Sequence, residues 1–506
     1  MLWQDLVKNA LLGVENSSFN QPTLDGLAQL GVDTKREAPL LLGDGAALMA
    51  QLRRAGFLLH DFSGEMPTPQ SETSANPTSL NTAHHLSLIL AGPQLLVLNE
   101  FLDLLKKTGK HLPTSEIPAL MKLPDLPQLW PQVEPLLDEP GRWLLRQHPV
   151  WSAYLIDPKQ SDWQTGSRTE RLALLGFWRG ESPRFALELL TATWDSESHT
   201  DKAAFLALLE VGLSIADEPF LERCLDDRRK EVRQVAAPLL AKIPGSLMAQ
   251  RMAKRAADCL TWKGISLKIN IPEAPDEAAQ RDGILKIHPG WVGGAKAGQL
   301  GQIMALVPPP HWEDYFEKTP AELLDLFSKT DWAEPLLRGC LEATVFHQNP
   351  VWAAALFEFW QKNEQLRIWE LPAANHLAKL LAPPEAARLA LSFLKAATNL
   401  PNEASPLFRL LKNHAAAWPD ELSLLIVSRF RAEIVRDYRQ VWQLQHLSGY
   451  LQMLGLRCDP ALFDQLQSGW SSDSVQWRMW ERPVEEMLTR VLFRREMRTE
   501  MMQGSQ

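Results

Sequence analysis

Between Glu218 and Arg251 the chain reads EPFLERCLDDRRKEVRQVAAPLLAKIPGSLMAQR: a helix, an acidic turn, a second helix, a Pro-Gly-Ser break and the start of a third. Apolar residues of the middle segment fall at Val232, Val235, Ala236, Leu239, Leu240 and Ile243. That is the i, i+3, i+4, i+7 spacing of a buried helical stripe. Asp226 and Asp227 stand where side-chain oxygens can accept the free N–H groups of the helix start. One such pair of helices cannot bury its apolar face alone, but stacked pairs can. The segment therefore predicts an all-α chain built as a divergent HEAT-like α-solenoid of stacked antiparallel helix pairs. Pro238 conflicts with it, because a proline inside a helix removes a backbone bond and kinks the rod.

The rest of the chain extends or interrupts this pattern. Residues 1–62 read as N-terminal helices, with a stripe from Leu2 to Leu11 that ends at Gly13 and a second helix from Pro39 to Gly56. Residues 63–82, rich in Pro, Ser and Thr, read as a mobile linker. Residues 83–167 carry prolines at a spacing that permits only short helices. Residues 168–260 are the most regular, with short connections that make neighbouring helices antiparallel. Residues 261–300 depart from the pattern. ISLKINI (265–271) alternates apolar and polar residues as a strand does, and a glycine-rich stretch follows, so this part reads as a small β and Gly-rich insertion. From 301 to 506 the chain is helical again, and Pro335, Pro350, Pro406, Pro460 and Pro483 mark helix starts.

Composition narrows the function classes. A net charge of −9 argues against a general nucleic-acid binder, which needs a Lys and Arg excess. Four widely spaced cysteines suit a reducing compartment, and the start MLWQDLVKNALLG has no basic, apolar leader, so a cytoplasmic location is expected. No apolar run is long enough for a membrane helix. Nineteen tryptophans against four tyrosines is unusual. Those near helix ends (Trp130, Trp143, Trp151, Trp163, Trp194, Trp332, Trp352 and Trp418) are expected to wedge helices together.

The usual signatures of catalysis and metal binding fail. No C-x-x-C, H-E-x-x-H or calcium loop occurs, and the adjacent His84 and His85 point about 100° apart on a helix. No metal and no cofactor are expected. Gly290 to Ala297, GWVGGAKA, falls short of a phosphate-binding loop: Ala295 stands at the second glycine and Ala297 at the magnesium-binding hydroxyl, which leaves Lys296 without a site. No G-x-S-x-G occurs. More informative is a cationic run. Between Asp226 and Asp258 there are eight cations against four acids. Aligned on successive helices, Arg228, Arg229, Arg233, Arg251 and Arg255 would form a ridge for an acidic partner or a nucleic-acid backbone. The plainer reading is a solvated face with local pairs such as Asp227 with Arg233.

Several segments together, WQDLVKNALLG, GRWLLRQHPVW, DEPFLERCLDDRRKEVRQVAAPLLAKIPGSLMAQRM and RDGILKIHPGW, resemble an uncharacterised bacterial domain-of-unknown-function family. Its members are encoded beside a SWIM zinc-finger protein, a MoxR-type AAA ATPase and a von Willebrand A-domain protein. The family's start continues after the glycine with Thr and a Glu-Arg pair, whereas Val14, Glu15 and Asn16 stand here. The family has no established catalytic residues to carry across.

The expectation is thus a non-enzymatic interaction scaffold or adaptor. The resemblance implies the MoxR-type ATPase and the A-domain protein as partners, and no membrane is expected. The alternative is nucleic-acid binding along the same ridge. A third reading, an enzyme at the glycine-rich junction, requires Asp282, His288 and Lys296 to converge in one pocket.

Overall fold

Capping residues and prolines set where the helices begin. In a computed structural model, Ser167 and Glu170 form a reciprocal capping box at the helix Arg168–Glu181, and Thr319 and Glu322 form another at Pro320–Ser328. Pro350 and Pro406 occupy the first position of Pro350–Lys362 and Pro406–Asn413, where the missing N–H costs nothing. The structure describes residues 2–14, 18–54, 78–155, 162–264, 266–287, 290, 293–435, 447–474 and 476–503. Nearly all regular structure among them is helical, with one two-stranded sheet.

Contacts divide the chain into two units, residues 1–69 and 70–506. In the first, the helices Leu2–Leu12, Gln21–Gln29 and Ala38–Arg54 enclose a small core of Leu6, Leu27 and Leu41. Asp5 ties two of them, accepting from Thr23 Oγ1 at 2.7 Å and Asn20 Nδ2 at 3.0 Å. These donors hold its carboxyl below the usual carboxylate range. The expected linker lies mostly outside the described residues. Its last part does not: Ser79 caps a helix that already begins at Leu80.

In the second unit, helices pack on their sequence neighbours. Arg168–Glu181 contacts Pro183–Thr193 and His199–Leu208, and Lys230–Lys242 contacts Glu218–Cys224 and Leu247–Cys259. The pattern continues through Ala295–Leu306 and Ala333–Phe346 to the C-terminal helix Trp477–Gln503. That last helix also packs on Leu80–Leu90 and Leu98–Thr108, and Met497 and Met501 complete the apolar cluster of the proline-rich segment. Of the eight tryptophans expected to wedge helices, Trp163, Trp352 and Trp418 are buried and the other five half-buried.

The region 261–300 carries the expected small β element, but its glycine-rich part is not extended throughout. Among the described residues, only Leu260–Trp262 and Leu267–Ile269 form strands, an antiparallel pair with Thr261 opposite Lys268, and Tyr315 Oη bonds the Leu260 carbonyl at 2.8 Å. The glycine-rich stretch AKAGQLG opens a helix, Ala295–Leu306. Gly298 and Gly301 are thus helical, and Gly301 lies where the facing helix Ala333–Phe346 comes close. A Cβ built on Gly339 of the facing helix would lie 2.3 Å from the Met304 Cβ. No described helix is long and apolar enough to cross a membrane.

Candidate functional site

The five arginines of the expected ridge are not equivalent. Arg228 and Arg229 are exposed and have no ion-pair partner among the described residues. Arg233 is half-buried and donates Nη1 to two backbone carbonyls, Asp227 at 2.7 Å and Arg228 at 3.2 Å. It thus closes the acidic turn through main-chain acceptors. The Asp227 carboxylate, expected to pair with Arg233, instead accepts the Arg229 N–H at 2.8 Å and lies 3.8 Å from Lys202 Nζ.

Arg251 and Arg255 are committed to acids. Arg251 donates Nε and Nη2 to Asp282 at 2.8 and 2.9 Å, and Nη2 also to Glu222 at 2.8 Å. Arg255 Nη1 reaches Asp282 at 2.6 Å. Asp282 is only 1% exposed, so its charge depends on these partners. Arg281 completes the network with a fork onto Asp226 at 2.6 and 2.9 Å and a contact to Glu222 at 3.2 Å. Burial opposes the charged form of Arg251, but its bonds to Asp282 and Glu222 outweigh that and raise its pKa. The fork on Asp226 raises Arg281 likewise and lowers Asp226 in return. Three cations balance three anions, so Arg251 and Arg255 present no excess charge to a partner. This corrects the picture of a five-arginine ridge. The network instead pins the helix Glu277–Arg281 onto Glu218–Cys224 and Leu247–Cys259.

That anchoring builds a cleft of about 380 Å³. One wall is the outer face of Lys230–Lys242, with Lys230, Arg233, Gln234, Ala237 and Pro238; the other is the chain from Gln280 to Leu285. Ala305 and Leu306 add apolar floor. Pro238, expected to disturb its helix, stands inside it and deprives the Gln234 carbonyl of its intrahelical donor at the cleft. Gln302 holds the opposite wall: its side-chain amide accepts the Leu285 N–H and donates to the Leu285 carbonyl, both at 2.9 Å. A second, more polar hollow of about 490 Å³ adjoins along Arg233 and Arg281 and adds Lys286 to the rim. Sequence reasoning missed Glu222, Arg281, Gln302 and Lys286. Their roles depend on partners distant in sequence, and only the Arg-Asp-Gly turn at 281–283 marks the place.

The proposed enzyme pocket does not assemble among the described residues. Asp282 is enclosed by arginines, Lys296 lies exposed on Glu273 at 2.5 Å, and His288 falls outside the described residues. All four cysteines are buried and unbridged, and burial pushes the Cys224 thiol up to about 12 and Cys259 up to about 11, which disfavours the nucleophilic thiolate. Among the described residues no group of three His, Cys, Asp or Glu is placed to hold a metal ion.

Comparison with curated proteins finds no match, and neither does comparison with solved structures. One family profile matches residues 5–501, nearly the whole length, so the chain belongs to the family of unknown function DUF5691.

Proposed function

We propose that this protein is a non-enzymatic, HEAT-like interaction scaffold that works in the cytoplasm and binds a partner segment in the cleft between Lys230–Lys242 and residues 280–285. The observation that carries this reading is the amphipathic character of the cleft. Its walls and floor carry apolar groups (Ala237, Pro238, Ile284, Leu285, Leu306), and the cations Lys230, Arg233 and Lys286 lie beside them. A peptide with apolar anchors flanked by acidic residues fits that combination. The neighbour-to-neighbour packing from Arg168 to Cys259 supports the HEAT-like assignment, because such stacks present long surfaces to partners.

The partners we propose are the MoxR-type AAA ATPase and the von Willebrand A-domain protein that accompany the family. Purified ATPase, in its ATP and ADP states, and A-domain protein should each be tested for retention on the immobilised chain. Retention that is lost when Lys230 and Lys286 both become Glu is the expected result. No retention of either protein in either nucleotide state overturns the adaptor assignment.

Nucleic-acid binding has less support. With Arg251 and Arg255 neutralised and Arg233 held by backbone carbonyls, Arg228, Arg229, Lys230 and Lys254 are the remaining cations of the run without an ion-pair partner among the described residues. A salt-sensitive gel shift that disappears in Arg228→Glu/Arg229→Glu would favour it over the adaptor.

A further inference from the structure

A larger cleft, of about 890 Å³, lies elsewhere in the second unit. Its walls come from the helix Leu98–Thr108, the segment 415–417, the end of Leu447–Arg457 and the C-terminal helix Trp477–Gln503. The charged lining is Lys107, Arg457, Arg494 and Arg498 against Glu100 and Asp103, and with Asp459 paired to Arg498 a positive excess remains on a chain of net charge −9.

The acids do not neutralise this cluster evenly. Arg494, 1% exposed, donates Nε to Glu100 at 2.5 Å and Nη1 to the carbonyls of Gly455 and Cys458 at 2.9 and 3.0 Å. Arg498 takes the other Glu100 oxygen at 2.6 Å and approaches Asp459 at 3.5 Å. Both oxygens of Glu100 are therefore engaged. Arg457 is left with a backbone acceptor, the Ala415 carbonyl, and has no carboxylate within ion-pair distance among the described residues. It is half-buried beside Arg494. Burial first, and the Arg494 charge second, lower its pKa, with Glu100 acting in the opposite direction. A guanidinium still does not deprotonate at neutral pH, so the unfavourable field persists until an anion enters the cleft.

We propose that this cleft binds a small molecule carrying a phosphoryl group, with Arg457 as its principal ligand and Lys107 at the mouth. Arg457 and Lys107, neither with an ion-pair partner among the described residues, are the cations left to meet such an anion, and the planar guanidinium offers paired donors to two phosphoryl oxygens. Arg494 and Arg498, already held by Glu100, act as fixed positive walls. The site is separate from the cleft beside Lys230–Lys242, with which it shares no lining residue, so either can fail without the other.

The test is a calorimetric titration of the full chain with inorganic phosphate, and in parallel with succinate, at constant ionic strength. One saturable phosphate site per chain is expected, with weaker succinate binding. Arg457→Gln should weaken phosphate by about tenfold or more, the scale of one lost charge-assisted hydrogen bond. Lys107→Gln should weaken it several-fold, and Arg184→Gln, at an exposed residue outside the cleft lining, should leave it unchanged. Absence of saturable phosphate binding overturns the proposal, as does succinate binding as tightly as phosphate. If Arg457→Gln loses its helical circular dichroism, the exposed Lys107 decides alone, and unchanged affinity in Lys107→Gln overturns the assignment.

Discussion

Arg179 and Asp217 form a bidentate ion pair out of contact with water, at 2.8 and 3.2 Å, with side chains 0% and 2% exposed. All five guanidinium N–H groups are used. Nε reaches the Val211 carbonyl, Nη1 the Pro183 carbonyl and Nη2 the Leu209 carbonyl, in addition to the two carboxylate bonds. Asp217 also accepts the Ser214 N–H at 2.9 Å. The pair binds the end of Arg168–Glu181 to the turn at Leu209–Ser214, where Gly212 has a φ of +63° and a Cβ would meet Pro183 Cγ at 2.7 Å. Breaking it strands a buried charge. Arg179→Leu should lower unfolding stability by about 3–5 kcal/mol, whereas Arg179→Met with Asp217→Leu should recover most of the loss. Urea midpoints of the three proteins decide it: a single variant as stable as wild type would refute the role.

His347 gives the fold a defined acid sensitivity. Burial holds its imidazole down to about 4, with Lys242 adding to the effect and a hydrogen bond to the Leu306 carbonyl at 3.2 Å opposing it. The carbonyl can only accept, so Nε2 carries the proton of the neutral ring. In the unfolded chain the pKa is about 6.5. A depressed folded value means that the stabilisation is complete above about pH 6.5 and is lost as pH falls toward 4. By pH 5 the loss should be about 2 kcal/mol at most, the full value applying only if the ring stays dry. Melting curves between pH 7 and 5 should show this decline, and His347→Gln should flatten it. An equal slope in the variant would assign the decline to other groups.

How much of this could be read from the sequence depends on the range of the interaction concerned. Helices declared by local signals were legible: Pro350 and Pro406 open theirs, and the stripe from Val232 to Leu240 is buried apart from the half-buried Val235. Local signals mislead where tertiary packing overrides them. Pro483 reads as a helix start but lies inside Trp477–Gln503, whereas Pro335 does fall in the first turn of Ala333–Phe346. The glycines near 298–301 suggest extended chain, yet they lie in the helix Ala295–Leu306, which Gly339 of the facing helix approaches closely. The cationic run was visible, but its neutralisation was not, because Arg251 meets Glu222 and Asp282 at separations of 29 and 31 residues. Glu100 and Arg494 are 394 residues apart. No periodicity reports such pairs.

The contact between Ala295–Leu306 and Ala333–Phe346 tests the close approach at Gly339. Gly339→Ala places a methyl group 2.3 Å from the Met304 Cβ and 3.4 Å from the Gly301 carbonyl, so the helices must separate. A cost of about 1–3 kcal/mol is expected. Met304→Ala cannot relieve it, because the clash is with a Cβ that alanine retains. Thermal unfolding of both single variants and the double checks this; a Gly339→Ala protein of wild-type stability would show that the helices can part freely.

Gln302 links the stability of the fold to the shape of the cleft beside Lys230–Lys242. Its side chain, 9% exposed, pairs with both peptide groups of Leu285 and donates also to the Gly298 carbonyl at 3.0 Å. One amide thus takes the place of a neighbouring strand for the wall 283–285. Gln302→Met keeps the volume but takes both partners from the peptide groups of the half-buried Leu285, at a cost of about 1 kcal/mol. The local consequence is sharper than the global one. The Leu285 amide should exchange with solvent at least tenfold faster, while amides of Lys230–Lys242 change little, because the arginine network holding Glu277–Arg281 is untouched. Partner retention by the cleft should fall with it. If Leu285 stays protected in Gln302→Met, the wall is held by its own packing and Gln302 is not what shapes the cleft.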